Sequence, residues 1–299
     1  MISQRDILKK VRSVEIRTRR AVTDSLVGSY HSVFRGQGLD FEEIREYCPG
    51  DDVRSIDWNV TARMDRPFVK IFREERELTM LLAVDLSASQ LYGSVEASKR
   101  EKAAELAAIL AFSALRNGDK VGLVLFTDKV ERYIAPGKGS QHVLRLVREI
   151  LFAEPQGRGT DRAAALDFIN HILHRRAMVF YLSDLSCDKP PEEGSALARL
   201  FAVTAARHDM VVADLSDRRD AELPKVGRVL LEDPETGARV EVDTKDERFQ
   251  NRYAGYAEDD RRKWEKLLRS CGAGNMAVPS DADVVRVLRR YMEGRALAR

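Results

Sequence analysis

From Leu78 to the end of the chain, apolar residues fall in two rhythms. The runs Leu78–Asp85 (LTMLLAVD), Val121–Thr127 (VGLVLFT), Ala177–Leu182 (AMVFYL) and Met210–Leu215 (MVVADL) are continuous. A short run that is apolar on both faces predicts a strand covered on both sides, as in a parallel sheet. Between these runs, Ala and Leu spaced for a helical face predict helices over about 97–117, 141–151, 161–175 and 193–208, the first stopped by Asn117-Gly118. Val130–Ala135 predicts a short strand and hairpin partner. Residues 228–232 and 239–243 flank Asp233-Pro-Glu-Thr-Gly237, a hairpin signature. Thr244-Lys-Asp-Glu247 predicts a capping box opening a long helix. Its stripe is Phe249, Tyr253, Tyr256, Trp264, Leu267, Leu268 and Cys271, closed by Gly272. A last strand near Met276 precedes a helix starting at Ser280-Asp281. Such alternation predicts an α/β fold: a doubly wound, mostly parallel central sheet flanked by helices, Rossmann-type in layout.

Upstream the rhythm differs. Residues 3–20 predict a basic amphipathic helix with Ile7, Leu8, Val11, Val14 and Ile16 on one face. Residues 28–66 carry turn glycines and prolines among irregular charges, and predict loop-like structure, with a tight reversal at Pro49-Gly50-Asp51. Phe68–Glu77 alternates as a strand. The expected organisation is an N-terminal helix and turn-rich extension over 1–77, then a main domain over 78–299 with a hairpin insertion at about 218–247.

Composition narrows the class. With 44% hydrophobic and 33% charged residues among 299, a sizeable core and a solvated surface are both expected. Lysine and arginine number 50 against 48 acids, a net charge of +2 that gives no reason to expect nucleic-acid binding. The Arg-rich C-terminus (Arg286, Arg289, Arg290, Arg295, Arg299) and the basic N-terminal helix are the only features pointing that way. No apolar run reaches the ~18 residues of a spanning helix, and no apolar stretch follows the basic N-terminus as in a signal peptide. The expectation is a cytoplasmic protein without an integral membrane segment. Cys48, Cys187 and Cys271 are far apart and form no CxxC pair, which fits reduced thiols.

Chemistry gathers at strand ends. Two of the buried runs end in carboxylates, Asp85 and Asp184, which parallel strands bring out at one sheet edge. Asp85-Leu-Ser87-Ala-Ser89 places three oxygen-bearing side chains at alternate positions of an extended loop, so that they converge. Gly157-Arg-Gly159-Thr160-Asp161 adds a hydroxyl in a glycine-loosened loop. Carboxylates and hydroxyls are ligands for a hard cation: Mg²⁺, or Mn²⁺ or Ca²⁺. Neutral hydroxyls leave the ion electrophilic toward one more anionic ligand, such as a partner's Asp or Glu. The competing explanation is helix capping and loop hydrogen bonding, which Ser and Asp also favour; Asp161 is read as a helix-start acid rather than a ligand.

At these residues the chain resembles the metal-ion-dependent adhesion site of von Willebrand factor A domains: DxSxS at 85–89, a distant Thr at Thr160, a distant Asp at Asp184. The resemblance implies that Ser87 and Ser89 bind metal directly, and that Thr160 and the aspartates do so directly or through water. Arg45-Glu-Tyr-Cys-Pro-Gly50-Asp-Asp-Val-Arg54-Ser-Ile-Asp57-Trp58 is similar to the hallmark segment of the bacterial family catalogued as domain of unknown function 58. That resemblance implies a von Willebrand factor A-like domain and an adaptor or co-chaperone role beside a MoxR-type AAA+ ATPase, with no enzymatic activity. Many relatives carry N-terminal membrane spans, and this chain shows none.

The segment holding Arg45, Asp51, Asp52, Arg54, Asp57 and Trp58 has two explanations. It is a partner-binding surface, or a clasp in which the charges pair locally and Trp58 is buried; mixed charges beside turn glycines favour the clasp. His171 and His174 are read as sharing a helix face, as surface residues rather than ligands, and Tyr253, Tyr256 and Trp264 as core contacts. The alternative function is a Mg²⁺-dependent phosphohydrolase with Asp85 as nucleophile. That scheme needs a second acid two residues on, where Ser87 stands, and a lysine that the sequence does not assign.

Overall fold

The computed structural model describes residues 11–18, 40–64, 66–73, 77–94, 97–185 and 189–297. Most of the expected basic helix, and Cys187, lie outside them; residues 11–18 are helical (α1). The chain divides into two compact units, residues 34–78 and residues 1–33 with 79–299.

The larger unit is built on a six-stranded sheet. Its strands are β3 (Thr79–Asp85), β4 (Lys120–Phe126), β5 (Val130–Gly137), β6 (Met178–Ser183), β7 (Asp209–Ser216) and β10 (Gly274–Pro279), in the order β10-β7-β6-β3-β4-β5. Five strands run parallel and the edge strand β5 runs antiparallel to β4. The expectation of a doubly wound, mostly parallel sheet holds, hairpin partner included. The continuous apolar runs are the cause: β3, β4 and β6 are buried from Met80, Val121 and Met178 to their ends, which a sheet covered on both faces requires.

Helices α3 (Lys99–Arg116), α4 (Ser140–Phe152), α5 (Arg162–Ile172), α6 (Ala196–Arg207), α7 (Glu247–Ser270) and α8 (Val284–Leu297) complete this unit. Ser98 and Glu101 form a reciprocal capping box at the start of α3, and Gly118 follows its end at φ +78°, a conformation natural to glycine. Since α3 is apolar on nearly every face, even Lys99 and Arg100 at its first turn are buried. One core cluster joins Phe126, Tyr181, Phe201 and Trp264, with edge-on contacts from Tyr181 to Phe201 and from Phe201 to Trp264.

Several local expectations are corrected. Asp246, not Thr244, caps α7 by accepting from the Arg248 N–H. Thr244 instead closes the base of the hairpin β8 (Arg228–Glu232) and β9 (Arg239–Asp243): its hydroxyl donates to Gly227 O and accepts from the Val226 and Gly227 N–H groups. Tyr256 is 71% exposed and takes no part in the core, while Trp264 is buried. Helix α5 ends at Ile172, so His174 does not share its face with His171.

The smaller unit is more ordered than its turn-rich sequence suggests. It contains strand β1 (Asp40–Glu46), antiparallel to β2 (Phe68–Arg73), and a short helix α2 (Trp58–Met64). A register shift between Phe41 and Glu43 breaks the two-residue rhythm, which is how a bulge conceals a strand from periodicity.

Candidate metal centre at the sheet's carboxyl edge

In a doubly wound sheet, ligands bind beyond the carboxyl ends of the strands, where the chain switches direction. Here the first strand, β3, lies beside β6, with β4 and β5 on one side and β7 and β10 on the other. Asp85 ends β3, and Asp184 follows Ser183 at the end of β6. A side-chain hydrogen bond spans the switch: Ser183 Oγ donates to Asp85 Oδ2 at 2.6 Å. The other oxygen, Asp85 Oδ1, accepts the Ser87 N–H at 2.8 Å and so folds the following loop back on the strand end. Asp85, Ser87 and Ser89 are all buried. Ser87 Oγ and Ser89 Oγ come within 3.1 Å, through a 3-10 turn over Ala88–Leu91 that starts at Ser87 rather than through the extended loop expected.

The loop carrying Thr160 is tied to the same place. The Ala88 N–H donates to Arg158 O at 3.0 Å, and the Asp161 N–H to Thr127 O at 2.8 Å. Asp161 caps α5, accepting from the Ala164 N–H at 2.9 Å. The Thr160 hydroxyl points to the hairpin, donating to Glu235 Oε1 at 2.9 Å.

Asp184 is the residue whose setting departs most from expectation. It is paired with the ammonium of Lys99, which also lies 2.7 Å from Asp220 Oδ2. Lys99 is 1% exposed. A lysine is hidden in this way only when carboxylates surround it. Arg162, also buried, donates to the Asp184 carbonyl at 2.6 Å and lies over the Trp264 ring. Asp214, which accepts the Leu185 N–H at 3.1 Å, is pushed up to about 7 by burial and by the charge of Asp184. Burial also raises Asp85, against the hydrogen bond from Ser183 and the charge of Arg162. Burial pushes Asp220 upward too, with Asp184 adding to it. Asp217 behaves oppositely: burial opposes ionisation, but hydrogen bonds led by those from Ser94 hold it at about 2.

The sequence reading missed Lys99, Asp220, Asp214, Ser183, Arg162 and Glu235. Ser183 was the most accessible of these, being the last residue of a buried run and therefore level with Asp85. Lys99 carried one further signal: a charged residue in the first turn of a helix apolar on nearly all faces has no exposed side to occupy.

The donors fit a small hard cation in part. Octahedral Mg²⁺ holds oxygens at about 2.0–2.1 Å, which puts neighbouring ligands about 3 Å apart. The Ser87–Ser89 separation matches that edge. Gln90, fully buried beside Ser89, has both amide atoms without a hydrogen-bond partner, a cost that a bound ligand or water would remove. Thr160 and Asp184 are committed to Glu235 and Lys99. Among the described residues no cluster of three or more His, Cys, Asp or Glu side chains is arranged to hold a metal; the candidate set relies on hydroxyls.

In the smaller unit the charged segment closes on itself. Arg45 grips Asp51 with two hydrogen bonds, at 2.7 and 2.8 Å. Asp52 caps the turn at Val53–Ser55 by accepting from the Arg54 N–H, and Asp57 accepts from the Asn59 N–H. Arg54 is exposed. The burial of Trp58 is overturned: it opens α2 at 67% exposure, on a helix none of whose residues is fully buried.

The family described as "Protein of unknown function DUF58" matches residues 43–263. An uncharacterized protein of Mycobacterium tuberculosis, Rv1480, is 31% identical over 287 residues, covering 95% of this chain and 88% of that protein. The uncharacterized protein YeaD of Bacillus subtilis is 24% identical over 190 residues, covering 63% of this chain and 43% of its own. Among solved structures, an aerotolerance-related membrane protein from Bacteroides fragilis is similar at 14% identity and a TM-score of 0.45, covering 74% of this chain and all (100%) of that one. A von Willebrand factor type A protein from Catenulispora acidiphila is similar at 12% identity and a TM-score of 0.40, covering 77% and 43%. No helix among the described residues is long and apolar enough to cross a membrane.

Proposed function

The chain belongs to the DUF58 family, and from that premise we propose that it is a non-enzymatic docking module whose cleft holds a divalent metal, Mg²⁺ by preference, and through it a partner's carboxylate. The observation that carries this reading is the pair of serine hydroxyls at 3.1 Å beside buried Asp85. Ser87 and Ser89 would hold the ion directly, with Asp85, Thr160 and Asp184 contributing directly or through water. When bound, the ion supplies an electrophilic position for one further anionic oxygen. The chain's own groups set the geometry. Ser183 fixes one Asp85 oxygen and the Ser87 N–H the other, while Lys99 offsets the charge of Asp184 and Asp220. Neutral hydroxyls leave the ion's charge available to the partner.

The partner we propose is a MoxR-type AAA+ ATPase offering an acidic side chain, with this chain as adaptor or co-chaperone. Trp58 offers a second contact, since exposed tryptophan is the side chain most enriched among interface anchors. A phosphohydrolase reading gains one observation, the lysine that the sequence did not assign. Lys99, however, is buried and already shared by two carboxylates, and Ser87 stands where that chemistry requires an acid.

Calorimetric titration with Mg²⁺ tests the site. Ser89→Ala, which removes a ligand, is expected to weaken binding by more than about tenfold, and Ser183→Ala, which loosens Asp85, by about tenfold. Capture of the ATPase is expected in Mg²⁺ and lost in EDTA. Unchanged Mg²⁺ affinity in both variants would overturn the metal reading, and steady turnover of a generic phosphoester would overturn the non-enzymatic one.

A further inference from the structure

Taking the metal-dependent docking role as given, we propose that Glu235 is a tethered carboxylate for the same centre, taking in the free protein the place that a partner's acidic side chain takes in the complex. The hairpin β8–β9 is pinned at its base by Thr244. Its turn is drawn tight by Asp233, whose backbone accepts the Gly237 N–H and whose carboxylate accepts the Glu235 N–H and the Thr236 hydroxyl. Gly237 sits at φ +72°, which glycine alone adopts without strain.

Within that turn, Asp233 to Gly237, Glu235 is the one residue not fully exposed. Its side chain reaches the cleft and accepts the Thr160 hydroxyl at 2.9 Å, across 75 residues of chain. Its second oxygen hangs over Gly159, 3.8 Å from where a β-carbon would stand. The loop beneath is the one tied to the Ser87–Ser89 turn through Ala88 and Arg158. The tip therefore places a carboxylate against the hydroxyl assigned to the metal.

The electrostatics agree. The cleft already contains Asp85 and Asp184, with Asp128 against Gly157. Lys99 and Arg162 already offset part of that charge, and a divalent cation would hold Glu235 there more firmly. A threonine oxygen that binds a metal through a lone pair keeps its O–H, so the Thr160–Glu235 hydrogen bond and metal binding by Thr160 are compatible. A partner carboxylate must then displace Glu235, and its apparent affinity is reduced by the fraction of molecules with the hairpin closed.

Water-proton relaxation by bound Mn²⁺ reads this directly, with acetate as the carboxylate probe. The protein, Glu235→Gln and Glu235→Asp are compared; the aspartate keeps the charge but is one methylene too short to reach. Both variants are expected to bind Mn²⁺, to show one more exchangeable water on the ion, and to bind acetate about tenfold more tightly than the parent, the factor for a hairpin closed nine times in ten. Equal hydration and equal acetate affinity in all three, with Mn²⁺ bound, would overturn the role of Glu235 and leave the docking reading standing. Failure of Mn²⁺ to bind any of them would overturn the docking reading itself.

Discussion

An ion pair and an ion triad occupy opposite settings in this molecule. Arg45 and Asp51 meet in the smaller unit at a surface turn, with ideal two-pronged geometry. Lys99, Asp184 and Asp220 meet at the carboxyl edge of the main sheet, with Lys99 and Asp184 cut off from water and Asp220 mostly so. The surface pair, only partly buried, keeps much of its contact with water whether made or broken, so its removal changes little. The buried group has given up its hydration, so each member depends on the others. Geometry alone would rank the two alike; burial separates them. The buried charges sit beside the candidate metal site, where they fix the charge balance that an arriving cation meets.

The largest expected effect is at Lys99. Lys99→Met strands Asp184 and Asp220 as uncompensated carboxylates and is expected to cost about 3–5 kcal/mol in urea unfolding. Adding Asp184→Asn and Asp220→Asn to it should recover most of the loss. A single Lys99→Met with parental stability would erase the contrast between the two regions.

The next effect depends on pH. Asp214 holds its proton to about 7 in the folded protein, far above its ordinary value of 3.8. The folded state therefore binds more protons than the unfolded one between about pH 4 and 7. The stability that Asp214 contributes is fully present below about pH 4 and is lost as pH rises through 7. Asp214→Asn removes this term, so its stability relative to the parent should climb across that window, by up to about 1.4 kcal/mol per pH unit. His208 acts in the opposite sense. Burial, with Arg207 and Arg176 nearby, holds it at about 4 against an ordinary 6.5, so its contribution is present above 6.5 and is lost as pH falls through 4. The Asp214→Asn difference curve, measured by thermal unfolding from pH 4 to 8, separates the two. A flat curve would mean that Asp214 is ionised throughout.

The smallest effects belong to the exposed unit. Arg45→Ala should leave the melting temperature within measurement error. Trp58→Ala should do the same while weakening capture of the ATPase, because the ring is exposed and supports no core. A clear drop in melting temperature for either would show that this unit depends on its charged segment as the larger one depends on Lys99.

What could be read from the chain follows the range of the forces involved. The buried strands, most helices and the strand-end positions of Asp85 and Asp184 were all legible, because two-sided burial and helical spacing write themselves into neighbouring residues. The nearness of Ser87 and Ser89 was legible only as closeness in sequence, since a 3-10 turn and not an extended loop brings their hydroxyls together. Strand β1 escaped because its bulge breaks the rhythm, and the exposure of Trp58 escaped because nothing local says whether a neighbour will cover a ring. The partners of the site were beyond local reading altogether. Lys99 meets Asp184 across 85 residues and Thr160 meets Glu235 across 75. A lone lysine, threonine or glutamate has the same local signature whether it faces water or a buried charge. Sequence alone determined that Asp85 and Asp184 stand at the sheet's edge. The tertiary structure decided what each already holds, because that depends on which distant charges the fold brings within reach and how much water it leaves between them.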